Sequence, residues 1–346
     1  MAKVAFVFPG QGAQYVGMGK ELYENNEIAR KEFDSLFSKL DFDLKTVMFE
    51  GPEEALKETK NTQPAIVSMS LVLTKLLEEK GIKPDFVAGH SVGEYAAFGA
   101  AGYLSIEDAV KLTAARGKFM NDVAQKVNGG MAAIIGLESD KIVEVLKTVD
   151  GVVEAVNFNE PKQTVIAGQK DAIEKACVAL KEAGARRAMP LAVSGPFHSS
   201  LMKEAGEKLK EEANNYDFKM TDVKLIANTT ADILTSVEDI KEEIYAQSFG
   251  PVKWVDTVKK MKEQGVTTIY EIGPGKVLSG LIKKIDKEFE IKNIEKLEDL
   301  QIIKCIKKGT GGSVLSTYEY VYATDNEMGN NSDLKECRTN YETACE

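Results

Sequence analysis

The chain opens with an unbroken apolar run, Lys3-Val-Ala-Phe-Val-Phe8, stopped by Pro9-Gly10. A strand without a polar face fits a sheet covered on both sides, so the run predicts a buried parallel strand. A helical stretch is expected after it, to about residue 40. Between Asn61 and Glu79 the period changes. Ile66, Met69, Leu73, Leu76 and Leu77 recur at helical spacing, and Gly81 and Pro84 supply the stop. Asp85 to Gly89 reads as a short strand, and Tyr95 to Ala101 as a helix of small residues.

The texture changes at Gly129. Residues 131–137 (MAAIIGL) read as a strand and 140–148 as a helix. Residues 152–158 and 163–168 pair as a hairpin, followed by a helix over 171–183 and a strand over 185–193. Strand, helix, strand, strand, helix, strand is a ferredoxin-like order. The pattern therefore predicts an inserted small domain at 127–194 within a larger α/β domain made of 1–126 and 195–305. The larger domain resumes with a helix near 199–215, a strand at 223–228 and a helix at 237–246. A strand at 267–273 and a helix from 276 complete it. From 309 to 346 Asn, Gly, Ser, Thr and acids replace all apolar periodicity. This stretch reads as a disordered acidic tail.

Composition narrows the function classes. The 346 residues suffice for one or two domains, and 43% are hydrophobic. No apolar run approaches the ~18 residues that span a bilayer, and the five apolar residues near the N-terminus are too few for a signal peptide. No membrane association and a cytoplasmic location are expected. The net charge of −10 speaks against a nucleic-acid partner. Residues 309–346 carry seven acids and two bases, about half of that charge. Four cysteines without C-x-x-C spacing, and only two histidines, predict no metal site and no structural disulfide.

The candidate chemistry begins at Gly89-His-Ser-Val-Gly93, which has the G-x-S-x-G spacing of a nucleophile elbow. A strand before it and a helix after it are the context this motif needs. Such a turn pushes the Ser91 hydroxyl outward and aims backbone N–H groups at an oxyanion. A serine nucleophile needs a base. His90 directly precedes the serine, so its ring should face away, and His198 in Ser194-Gly-Pro-Phe-His-Ser-Ser200 is left by elimination. No aspartate is an evident partner for His198, and a backbone carbonyl could orient it instead. Pro9-Gly-Gln-Gly-Ala-Gln14 lacks the third glycine of a dinucleotide loop, since Tyr15 stands there, and it has no G-K-[ST]. Its backbone N–H groups could complete the oxyanion hole. Arg116 falls on an amphipathic helix, and taken alone it reads as part of a solvated face.

Together these segments resemble the malonyl-CoA:acyl-carrier-protein transacylases of fatty acid synthesis. The resemblance covers about residues 1–300. It rests on FPGQGAQ, NTQPA at 61–65, GHSVGEYAA at 89–97, RGKFM at 116–120, NFNEPKQTVIAG at 157–168, GPFHS at 195–199 and QSFGPVKW at 247–254. It implies an α/β-hydrolase-like core with an inserted ferredoxin-like subdomain. It implies Ser91 as nucleophile, His198 as base, and the N–H groups of Gln11 and Val92 as the oxyanion hole. Gln247 would orient His198 through its main-chain carbonyl. Arg116 would bind the free malonyl carboxylate, Gln63 would line the pocket, and Phe197 would disfavour an α-methyl branch. The substrates would be malonyl-CoA and phosphopantetheinylated acyl carrier protein, with no cofactor. The carrier is acidic, so Arg186, Arg187, Lys203 and Lys118 are candidates for docking it. Two other functions fit Ser91: a hydrolase or thioesterase that delivers to water, and a catalytically silent carrier-binding protein.

Overall fold

The computed structural model describes residues 2–301; the tail expected at 309–346 lies outside them. The strands are β1 Lys3–Phe8, β2 Phe86–Gly89, β3 Gly129–Ile135, β4 Val153–Glu160, β5 Gln163–Gln169, β6 Arg187–Pro190, β7 Lys224–Leu225, β8 Val266–Ile272 and β9 Glu290–Ile294. They form two sheets. One has the order β7-β2-β1-β8-β9, with every pairing parallel. The other has the order β4-β5-β3-β6 and is antiparallel throughout. The protein is thus mixed α/β, with a parallel sheet and a separate antiparallel sheet.

The run that opens the chain is central because it has no polar face to leave in water. Ala5, Phe6, Val7 and Phe8 are all fully buried. On one side, Ala5 and Val7 pack with Trp254, Val258 and Leu278. The helix Thr59–Glu79 is buried along most of its length, with polar side chains such as Thr62, Gln63, Ser68 and Ser70 among its buried residues. The antiparallel sheet has a core of its own, in which Ile134 and Ile166 meet Ile142, Ile173 and Leu180 of its two helices, Ser139–Leu146 and Lys170–Glu182.

Several boundaries differ from the sequence expectation for local reasons. The stretch after Phe8 is a loop to Gly19, with left-handed glycines at 12, 17 and 19, before helices at Lys20–Asn25 and Glu27–Phe37. The strand expected over 223–228 is only Lys224–Leu225. The chain doubles back there, pairing Ile226 with Ile233, and the Asn228 N–H turns to a side chain. The strand expected over 185–193 ends at Pro190. The helix expected near 199–215 is a 3-10 turn, then Lys203–Glu212, then a second 3-10 turn. Three helices, Leu44–Glu50, Glu53–Lys57 and Trp254–Glu263, and the strand β9 lie outside the expected elements.

The contacts divide the chain at Lys296. Both sheets lie in Met1–Lys296; of the remainder, the described part carries one 3-10 turn, Glu298–Leu300. Among the described residues no helix is long and apolar enough to cross a membrane, and no cluster of three metal-ligating side chains occurs.

Candidate active site

β2 ends at Gly89, and the helix Gly93–Ala100 starts four residues later. The turn between them is tight enough to hold Ser91 at φ 53, a left-handed conformation that a side chain rarely adopts. Gly93 makes the turn possible. A Cβ there would overlap the main chain of Phe8, so only glycine lets the helix start against the sheet. His90, as expected, faces away from the serine: its Nε2 donates to Asn159 Oδ1 at 2.7 Å, and its ring packs edge-on to Trp254.

The Ser91 hydroxyl lies 2.7 Å from His198 Nε2, although 107 residues separate them. His198 is likewise left-handed, at φ 66, in the loop after the antiparallel sheet. Its N–H donates to the Ser248 carbonyl at 3.0 Å. On the ring, Nδ1 donates to the carbonyls of Gln247 at 2.8 Å and Gly250 at 3.1 Å. Carbonyls only accept, so Nδ1 carries the hydrogen and Nε2 presents a lone pair to the serine. Burial first, and then the positive charge of Arg116, push the His198 pKa down to about 3. The ring is therefore neutral at pH 7.

Arg116 corrects its reading as part of a solvated face. It is fully buried on the inner side of the helix Ile106–Ala124. Its Nη2 donates to Gln247 Oε1 at 2.8 Å and to Ser91 Oγ at 3.3 Å, and the Tyr95 ring lies 5.2 Å from the guanidinium carbon. Nε and Nη1 have no hydrogen-bond partner among the described residues. A buried cation with two uncommitted donors and no direct carboxylate partner is suited to receive an anion. Burial lowers its pKa from the ordinary arginine value, opposed by Tyr95 and Glu94.

The other expected residues sit as follows. The Val92 and Gln11 N–H groups donate to no other described residue. The Pro9–Gln14 loop presses on the elbow, since a Cβ on Gly10 would come within 2.7 Å of the His90 carbonyl oxygen. The Gln11 side chain is turned to Thr59, donating to its hydroxyl at 3.2 Å. Gln63 is buried and donates weakly to Met120 Sδ at 3.7 Å, which leaves its Oε1 unpaired among the described residues. No hydrogen bond joins it to Ser91, His198 or Arg116. Phe197 is buried with Met120, Ala124, Met131 and Met202. Arg186, Arg187, Lys118 and Lys203 are all exposed.

Sequence reasoning missed three buried polar residues beneath the elbow. Asn228 Oδ1 accepts the Ser91 N–H at 2.8 Å, and its Nδ2 donates to the Gly89 carbonyl at 2.6 Å. Glu94 Oε1 accepts from the Asn228 N–H at 2.8 Å and from its Nδ2 at 3.2 Å. Glu94 Oε2 accepts from Gln247 Nε2 at 2.8 Å, and the same Nε2 donates to the Ser91 carbonyl at 2.7 Å. Glu243 takes the N–H and hydroxyl of Thr229. Burial, then the neighbouring Glu243, raise the Glu94 pKa well above the usual carboxylate range. One signal was available: Glu94 opens a helix otherwise made of small and aromatic residues.

Comparison with known proteins gives consistent results. The model of the acyl transferase domain matches residues 5–330. Malonyl CoA-acyl carrier protein transacylase of Bacillus subtilis (strain 168) is 45% identical over 305 residues, covering 87% of this chain and 96% of the relative. The protein of the same name from Staphylococcus aureus (strain MRSA252) is 43% identical over 304 residues, covering 87% and 98%. Among solved structures, an acyl carrier protein S-malonyltransferase from Vibrio cholerae superposes with a TM-score of 0.83. It has 40% identity and covers 86% of this chain and 99% of that one. A malonyl-transacylase solved in complex with its type II polyketide acyl carrier protein also gives 0.83, with 39% identity, covering 86% and 98%.

Proposed function

The chain belongs to the acyl transferase domain family, among the malonyl-CoA:acyl-carrier-protein transacylases, and from that premise we propose the residue roles that follow. It is an acyltransferase that moves malonyl from malonyl-CoA to the phosphopantetheine thiol of acyl carrier protein, in fatty acid synthesis. The observation that best supports a covalent route is the 2.7 Å contact between Ser91 Oγ and the lone pair of His198 Nε2.

In the first half-reaction Ser91 Oγ attacks the thioester carbonyl as its proton passes to His198 Nε2. The carbonyl oxygen becomes an oxyanion, and the N–H groups of Gln11 and Val92 are the donors assigned to it. On collapse the C–S bond breaks, and His198 returns the proton to the departing CoA sulfur. A malonyl-Ser91 ester remains. In the second half, His198 takes the proton of the carrier's thiol, the sulfur attacks the ester, and the Ser91 oxygen leaves with that proton. The Gln247 carbonyl stabilises the imidazolium in both halves, in place of an acidic third member.

Arg116 is assigned the malonyl carboxylate, which the two uncommitted donors support. Gln63 is assigned to the pocket wall and Phe197 to exclusion of an α-methyl branch. No cofactor is assigned beyond the two substrates, because every proton transfer has its donor and acceptor in Ser91 and His198. We assign the protein to the cytoplasm. The finer architecture we read as an α/β-hydrolase-like core with a ferredoxin-like subdomain at 127–194, a reading favoured by the strand order β4-β5-β3-β6.

The direct test is mass spectrometry of the protein mixed with malonyl-CoA and no carrier. A malonyl adduct on the Ser91 peptide, released by carrier thiol and not by water, is the expected result. An unmodified Ser91 rules out the covalent route, and prompt release of free malonate points to a hydrolase.

A further inference from the structure

We infer that Glu94 is a positioning residue whose carboxyl orients two side-chain amides, Asn228 toward Ser91 and Gln247 toward Arg116. It thereby couples the nucleophile to the group that selects the acyl chain. A primary amide has one accepting end and one donating end, and either can face a neighbour unless something decides. At Asn228 the donating end meets Glu94 Oε1 and the Gly89 carbonyl, so Oδ1 is left for the Ser91 N–H. At Gln247 the donating end meets Glu94 Oε2 and the Ser91 carbonyl, so Oε1 is left for Arg116 Nη2. Both peptide groups of the left-handed Ser91 are therefore held by amides that Glu94 directs.

Both oxygens of Glu94 must accept for this to hold. A shared proton does not spoil it: a carboxyl that gives its one hydrogen to Glu243 still accepts at both oxygens. The raised pKa of Glu94 is consistent with that state. Glutamine cannot substitute. With Oε1 placed on Asn228, its NH2 group would face the NH2 group of Gln247. Turning the Gln247 amide to relieve this would aim its NH2 group at Arg116. The main-chain N–H of Asn228 keeps an oxygen on its side, so it is the Gln247 arm that fails: its amide either turns away from Arg116 or is left unheld.

The inference rests on Arg116 being the carboxylate-binding group, and the test separates the two claims. Single-turnover loading of Ser91 from malonyl-CoA and from acetyl-CoA is measured for Glu94→Gln, Asn228→Ala, Arg116→Ala and wild type. Glu94→Gln is expected to slow malonyl loading roughly tenfold or more and to lower the malonyl-to-acetyl ratio. Asn228→Ala, which touches the elbow arm alone, is expected to slow both loadings alike and leave the ratio unchanged. A wild-type ratio in Glu94→Gln, with the ratio lost in Arg116→Ala, overturns the inference and leaves the Arg116 reading standing. A wild-type ratio in Arg116→Ala overturns that reading and the selection arm with it. Full loading rates in Asn228→Ala overturn the elbow arm. Should Glu94→Gln fail to fold, Gln247→Met keeps the main-chain carbonyl while removing the amide. An unchanged ratio there is equally fatal to the inference.

Discussion

The main-chain carbonyl of Gln247 accepts the Nδ1–H of His198 at 2.8 Å, in the place where an aspartate stands in a hydrolase triad. A carbonyl fixes the tautomer as well as a carboxylate does, and it survives every substitution of the side chain that bears it. His198→Ala should therefore reduce malonyl transfer by roughly 10²–10⁴-fold, the range for losing a general base. Gln247→Ala should keep the base aligned and retain acetyl transfer. Steady-state rates with both acyl-CoA substrates check the pair, and an acetyl loss in Gln247→Ala as deep as that in His198→Ala would show that the side chain orients the base.

Arg116→Ala should cut malonyl transfer while acetyl transfer persists or improves. A hydrogen bond to a charged group is worth ~1.5–3 kcal/mol net, or roughly 10- to 150-fold in rate. An acetyl group would also leave the buried cation unpaired in the wild type, which widens the gap. Competition between the two acyl-CoA substrates measures it directly.

The pH dependence follows from the His198 pKa of about 3. The base is inactive when protonated, and a depressed pKa confines that form to acid. Loading from acetyl-CoA, which brings no carboxylate to Arg116, should therefore stay level as pH falls through 6.5, the ordinary histidine value, and decline only toward pH 3. Removing the Arg116 charge takes away the second cause of the depression, so in Arg116→Ala the acid limb should move upward. Pre-steady-state loading across pH, in both proteins, reads the shift.

Arg187 stands exposed on β6. Reversing it to Glu should raise KM for the acidic carrier and leave KM for malonyl-CoA unchanged. The effect should shrink as salt is added, because the contact is solvent-screened. Equal changes in both KM values would remove Arg187 from the docking surface.

Phe197→Ser should admit an α-methyl branch. Relief of one methyl-sized clash is worth about 1–3 kcal/mol, so methylmalonyl loading should rise roughly 10- to 200-fold relative to malonyl loading. No relative gain would mean that the wall is made elsewhere.

Local chemistry decided what could be read from the chain. Ser91 was legible because its turn must be bounded by glycines, one of which can carry no Cβ against Phe8. His198 was legible by scarcity. Arg116 was legible only through resemblance, although it shares the inner face of its helix with Leu112, Thr113 and Met120. A charge on an apolar stripe was the physical sign, and amphipathicity masked it. Asn228 could not be read at all. It reaches Ser91 across 137 residues through the pairing of β7 with β2, and no local pattern encodes that meeting. The strand expected over 223–228 stops early for a related reason: the Asn228 N–H turns away to Glu94, a contact the apolar run before it does not foretell.

The buried Arg116 has one more consequence, for timing. Its charge weakens the His198 base, and a malonyl carboxylate paired with it would cancel that charge. The cargo would then strengthen the base on arrival, so His198 would be more basic once the ester is loaded than before. An uncharged cargo would bring no such gain. The enzyme would thus proofread twice with a single arginine, once when the acyl group binds and again when the thiol must be deprotonated to carry it away.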